Sequence, residues 1–144
     1  MSTDVQTAIQ TQFEETKLRL TKNPQEFDSW IRLGTLHKIA GDYKGAAEDW
    51  EYASQLFPTS SVSFNNLGDL YLHFLQDYAK AEIDYKKAIV LSPHVVDYYR
   101  TLFFMYRDIY KDKAKALGVV DQGLKANPNN NDLLVLKGQI DLQP

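Results

Sequence analysis

The chain contains no cysteine. Disulfide staples, a thiolate nucleophile and cysteine-ligated zinc are therefore excluded, while the compartment stays open. It also lacks a long apolar run. Nothing approaches the roughly 18 to 20 apolar residues of a membrane span. The first ten residues have neither the basic start nor the apolar stretch of a secretory signal. The expectation is a soluble, cytoplasmic chain, with an anchor upstream of Met1 left open. Basic charge is not in excess either: 16 Lys and Arg stand against 19 Asp and Glu, a net charge of −3. A general nucleic-acid binder presents a strongly basic face, so that class is set aside. No HExxH, GxSxG or GxGxxG occurs, and no catalytic residue, metal site or cofactor is expected. The three histidines, His37, His73 and His94, read as lacking a His or carboxylate partner at the i+4 spacing of a helical metal site. His37 is expected to be half-buried and hydrogen-bonded, and His94 exposed.

Glycine and proline are sparse, with seven and five residues, so each one punctuates. Pro58, Pro93 and Pro128 recur 35 residues apart. Between prolines the apolar residues fall at helical spacing. Trp30, Leu33, Gly34 and His37 form one such run, broken at Gly41-Asp42. Ala46, Trp50 and Ala53 resume it until Pro58. Phe64, Leu67, Gly68 and Tyr71, then Ala81, Tyr85, Ala88 and Pro93, repeat the order. So do Tyr99, Leu102 and Tyr106, then Ala116 and Pro128, with Phe103, Val120 and Gly123 as substitutes.

This pattern resembles the tetratricopeptide repeat, a helix–turn–helix unit of 34 residues whose signature is W-x2-L-G-x2-Y, then A-x3-F, then a closing Pro. The resemblance implies an all-α fold, a right-handed α-solenoid in which each unit buries its apolar face against its neighbours. A single domain is expected over 1–144. An N-terminal capping helix covers 4–22, with Val5, Ile9, Phe13 and Leu20 on its apolar face. Repeats follow at 27–60, 61–95 and 96–130, and 131–143 forms a terminal cap or a truncated repeat. In that last helix Leu134 and Gly138 keep the family's Trp-like and Gly positions. Lys137 and Asp141 replace Leu and Tyr, and the stretch ends at Gln143-Pro144. Asp28 or Ser29 is expected to cap the first helix of repeat one. Gly34 is expected to face Ala46, and Phe103 to push its helix pair apart. The second and third units each carry one residue beyond the family length. In the second it falls near Phe74 or Leu75.

The family implies a protein–protein interaction module whose partner lies in a concave groove lined by first helices. The residues at the lining positions include Arg32, Lys38, Asn65, Asn66, Asp69, Arg100, Phe104 and Arg107. Asn65 and Asn66 suit peptide backbone, and the arginines suit carboxylates. Some family members clamp a chaperone's C-terminal carboxylate. The matching positions here are Ile31, Thr35, Asn66, Asp97 and Thr101. Only Asn66 agrees and Asp97 has the wrong charge, so that partner is rejected. The alternative is a structural module that mediates self-association or tethering within a larger, membrane-anchored protein, motivated by the incomplete fourth unit and by an exposed patch formed by some of Tyr98, Tyr99, Phe103, Phe104 and Tyr106. Lys111, Lys113 and Lys115 read as a solvated turn.

Overall fold

The structure is a computed structural model and describes residues 3–141. Eight α-helices and no strand occur among the described residues: α1 (Thr3–Lys22), α2 (Phe27–Ala40), α3 (Tyr43–Leu56), α4 (Ser61–Leu70), α5 (Tyr78–Leu91), α6 (Val96–Phe104), α7 (Lys113–Ala126) and α8 (Asn131–Asp141). The fold class is all-α. Gln143 and Pro144 lie outside the described residues, as does the side chain of Asp141. The chain divides into two compact units, 1–81 and 82–144.

The additional residue of the longer units has a definite structural form. α2 ends at Gly41 in the left-handed region (φ 84°), and the Asp42 N–H closes the turn on the His37 carbonyl at 2.9 Å. Tyr71 and Asp77, then Tyr106 and Asp112, stand at the same places in their units. Their closing bonds, at 2.9 and 2.8 Å, span six residues instead of five. A single π-helical turn accommodates the insertion each time, at Tyr71–Leu75 and at Met105–Ile109. Such turns are the usual way an α-helix absorbs one residue. Gln76 and Lys111, both at φ 54°, take the left-handed place that Gly41 holds in the shorter unit. Each following helix is then capped by an aspartate. Asp42, Asp77 and Asp112 accept from the backbone N–H of Gly45, Lys80 and Lys115 at 2.9, 3.1 and 2.9 Å.

In unit 1–81 the core is built around Trp50, which is 2% exposed. Its indole Nε1–H donates to the Ile31 carbonyl at 3.0 Å. The small residue that makes this possible is Gly34. A Cβ there would lie 2.4 Å from Trp50 Nε1. Gly34 therefore makes room for the indole, and Ala46 is itself fully buried. On α1 Thr16 and Leu20 are buried and Ile9 and Phe13 half-buried, whereas Val5 is exposed. The expected stripe thus keeps three of its four residues and gains Thr16. The start of α2 also differs from expectation. The N-cap is Glu26 and its side chain makes no capping bond; Asp28 and Ser29 lie inside the helix. The Ser29 hydroxyl donates back to the Glu26 carboxylate.

Unit 82–144 reaches a filled core by a different distribution of volume. Phe103, at the place of Gly34, is fully buried, and Val120 stands where the first unit has Trp50. The large residue stands on the first helix here and on the second helix in the earlier unit. Gly123 is the close-approach residue here. A Cβ would lie 2.9 Å from the Tyr99 ring and 3.0 Å from Leu133. In α8 the buried side chains are Leu133 and Leu136, while Leu134 is exposed and a Cβ at Gly138 would meet open space. Leu134 and Gly138 thus occupy their expected register without the packing that the register implied.

Candidate functional site

The eight sequence-derived lining residues separate into groups already engaged and groups left open. In unit 1–81, Lys38 on α2 donates to Asp69 on α4 at 2.9 Å. The two are 31 residues apart, one helical turn short of the 34-residue step between neighbouring first helices. That offset brings them level. The Lys38 ammonium also lies over the rings of Phe74 and Trp50, 5.0 and 6.0 Å from their centroids. Asp69 is shared with His73 at 3.6 Å, one turn along the same helix. This corrects the expectation that no histidine has a carboxylate four residues away. No cluster of three or more candidate metal ligands occurs among the described residues.

Three residues of the same unit have unused polar groups. The side-chain amides of Asn65 and Asn66 are half-buried and form no hydrogen bond among the described residues. The Arg32 guanidinium is exposed and likewise has neither an ion pair nor a hydrogen bond there. Arg32 and Asn66 occupy one repeat position on α2 and α4, the two helices that the Lys38–Asp69 bond ties together. Ile31 and Val62 bring partly exposed apolar surface to the same helix faces.

In unit 82–144 the two lining arginines are engaged. Arg100 pairs with Asp97 at 2.7 Å. Arg107 forms a two-pronged contact with Asp108 at 2.6 and 2.7 Å, and a bond to Gln139 at 3.0 Å. The hydrogen bond from Arg107 holds the Asp108 carboxyl below its ordinary range. Phe104, 38% exposed, meets Phe103 edge-on at 5.3 Å and has the Arg107 guanidinium 4.8 Å from its ring centre. The aromatic cluster does not furnish an exposed patch: Tyr98, Tyr99, Phe103 and Tyr106 are all buried. The Tyr99 hydroxyl donates to the Pro93 carbonyl at 2.8 Å and that of Tyr106 to Glu82 at 2.8 Å.

Two polar clusters have members that the sequence did not identify, although His37 is half-buried and hydrogen-bonded as expected. His37 Nδ1 lies 2.6 Å from the Asp49 carboxylate, and its ring packs on Phe13 at 4.9 Å. Burial raises the Asp49 pKa, and the bond from His37 offsets part of that rise. A histidine at the family's Tyr position needs a polar partner on the facing helix, and that was the available signal. In the second cluster Glu82 accepts from both Lys86 and Tyr106. Burial pushes its pKa up, but those bonds prevail and hold it low. His94 is exposed, as expected, with its Nδ1 3.0 Å from the Ala126 carbonyl. No described helix is long and apolar enough to cross a membrane.

The tetratricopeptide repeat family matches residues 62–94. That segment contains Asn65, Asn66 and Asp69. No curated protein matches the chain in sequence. Among solved structures, MamA is similar over 89% of this chain and 74% of its own, with 20% identity and a TM-score of 0.71. TTC0263, a thermophilic tetratricopeptide-repeat protein of Thermus thermophilus, is similar over 91% of this chain and 72% of its own, with 19% identity and a TM-score of 0.68. The tetratricopeptide-repeat domain of Arabidopsis OM64 is similar over 79% of this chain and 93% of its own, with 17% identity and a TM-score of 0.61.

Proposed function

We propose, from the premise that the chain is a tetratricopeptide-repeat protein, that it is a non-enzymatic module binding a peptide or partner protein on the faces of its first helices. In this reading α1 caps the array at 4–22, repeats run over 27–60, 61–95 and 96–130, and 131–143 is a terminal helix. The observation that carries the assignment is the unused hydrogen-bonding capacity of Asn65, Asn66 and Arg32, set beside partly exposed Ile31 and Val62. Both amides reach solvent, so a ligand can take the hydrogen bonds that water otherwise makes. Two adjacent amides can each give and take a hydrogen bond along an extended backbone. Arg32 supplies a fork for a carboxylate on the same ligand.

Lys38 and Asp69 hold α2 and α4 in register, and their role is to position the amides. Arg100 and Arg107 are held by their own carboxylates, which leaves Phe104 as the open contact of the second unit. The test is affinity capture with Arg32, Asn65 and Asn66 replaced together by Ala. The expected result is loss of a partner that the unaltered chain retains. An identical partner list would sink the assignment. Burial of Tyr98, Tyr99, Phe103 and Tyr106 removes the aromatic patch from the support for self-association, and the incomplete fourth unit remains its other motive.

A further inference from the structure

His37 lies in the last turn of α2, where both α1 and α3 reach it. A carboxylate stands at each of its ring nitrogens. Nδ1 is 2.6 Å from Asp49 of α3, and Nε2 is 4.0 Å from Asp42, the N-cap of that helix. The imidazole is largely enclosed, with 24% of its side chain exposed, and Asp49 is buried. Gly45 leaves room for this arrangement. A Cβ there would collide with the Asp42 carboxylate and lie 3.2 Å from His37 Cγ. From α1, the Phe13 ring packs on the imidazole at 4.9 Å, and the Lys17 ammonium lies 5.6 Å from the Phe13 centroid. The other charges at hand are Glu48 of α3, which Lys44 meets at 3.7 Å, and Lys38 of α2, which is committed to Asp69.

A neutral imidazole has one N–H and donates to one carboxylate only. The imidazolium donates from both nitrogens, and an acceptor already stands at each. Its charge is also attracted by the face of an aromatic ring such as that of Phe13. Burial pushes the Asp49 pKa up, Glu48 and Asp42 add to the rise, and His37 opposes it. The cluster is therefore short of positive charge whenever the ring is neutral. Phe13 is where α1 depends on this ring. Residues 3–8 are exposed throughout, and Gln6, Ile9, Gln10 and Phe13 line an open cavity of about 290 Å³ with Ala40 of α2. Phe13 thus anchors a stretch of helix with little packing of its own, the kind of segment that opens first.

We propose that the His37 imidazolium is a pH-operated clasp for α1. Charged, it bridges Asp42 and Asp49 and holds Phe13. Neutral, it keeps Asp49 alone, and residues 6–13 loosen. Histidine is the side chain whose charge changes across the neutral range, so the clasp closes toward acid and opens toward alkali. The device is independent of the peptide-binding reading, which rests on Arg32, Asn65 and Asn66.

The experiment is hydrogen exchange of the full chain at about pH 6 and about pH 8, read by mass spectrometry over residues 6–13 and corrected for the intrinsic pH dependence of exchange. The variants are His37→Tyr, which restores the family's residue, and Asp42→Asn, which keeps a good N-cap. Far-UV circular dichroism confirms that each is folded. In the unaltered chain, protection of 6–13 should be about two- to fivefold greater at the lower pH, the span of one cation–π contact near the surface. The difference should vanish in His37→Tyr and shrink in Asp42→Asn. Equal protection at the two pH values, greater protection at the higher one, or a difference that persists in His37→Tyr overturns the proposal. So does a difference that Asp42→Asn leaves at full size, because Asp42 then takes no part in holding the charged ring.

Discussion

Replacing Gly34 by Ala adds one methyl group, and the structure makes the sign of its effect a sharp test. The intrinsic preference of a helix interior favours Ala over Gly by about 1 kcal/mol. On that ground alone the substitution stabilises. The new Cβ would, however, sit 2.4 Å from Trp50 Nε1, 2.6 Å from Cδ1 and 2.7 Å from Cε2. No ordinary contact is that short, so the indole must move. Trp50 is fully enclosed and cannot swing into solvent. Its shift breaks the 3.0 Å bond to the Ile31 carbonyl and overpacks the pair of α2 and α3. Overpacking costs about 1–3 kcal/mol, and the lost hydrogen bond about 1 kcal/mol more. Against the propensity gain, a net loss of about 1–3 kcal/mol remains. For a chain of this length each kcal/mol moves the melting midpoint by about 2–4 °C. Thermal unfolding followed by near-ultraviolet circular dichroism reads both the stability and the tryptophan environment. The double variant Gly34→Ala/Trp50→Leu should recover part of the loss, as expected of two residues that share one volume. Gly138→Ala, which meets open space, should stabilise by up to about 1 kcal/mol. If Gly34→Ala proved as stabilising as Gly138→Ala, the packing argument would be wrong.

Further outcomes follow from other groups. The Ser63 hydroxyl is buried without a hydrogen-bond partner among the described residues, so Ser63→Ala should stabilise by about 1 kcal/mol. Ser29→Ala, which severs the bond to Glu26, should destabilise by a similar amount in the same denaturation assay. Gln76 sits at φ 54°, and Gln76→Gly should relieve left-handed strain worth roughly 1 kcal/mol. Glu82 has a pKa lowered by Lys86 and Tyr106, so its contribution is present above the ordinary Glu range and fades as pH falls through the lowered value. Stability curves of the unaltered chain and Glu82→Gln should therefore differ at neutral pH and converge in acid. Asp49 works in the opposite sense. Its raised pKa means that its contribution is greatest below the ordinary Asp range and declines as pH rises through the raised value.

Much of the helical frame was legible because its signal is periodic and repeated. Leu33, Leu67 and Leu102 are all buried at one register, and Ala46, Ala81 and Ala116 at another. A periodic apolar pattern reports burial against regular neighbours, and it fails where neighbours are irregular. Val5 and Leu134 fit the pattern but lie exposed on the first and last helices of the chain. The inserted residue could be located near Phe74 from alignment of the turns. Its absorption as a π-turn could not, because that choice depends on closing the bond from Asp77 to Tyr71. The candidate lining residues were legible as positions and illegible as states. Arg100 and Asn66 looked alike as lining residues, yet Asp97 engages one and nothing among the described residues engages the other. Side-chain pairings across helices, such as His37 with Asp49, depend on rotamers that no one-dimensional spacing encodes.

The central claim is that a partner lies on the first-helix face around Asn65. A photo-reactive residue placed at Asn65, and separately at Val90 on the exposed side of α5, tests it directly when each chain is irradiated in native lysate and the adducts are identified by mass spectrometry. The account predicts a specific protein adduct from position 65 that Arg32→Ala/Asn66→Ala abolishes, with none of that partner from position 90. Adducts of one partner from position 90 and none from position 65 would contradict it.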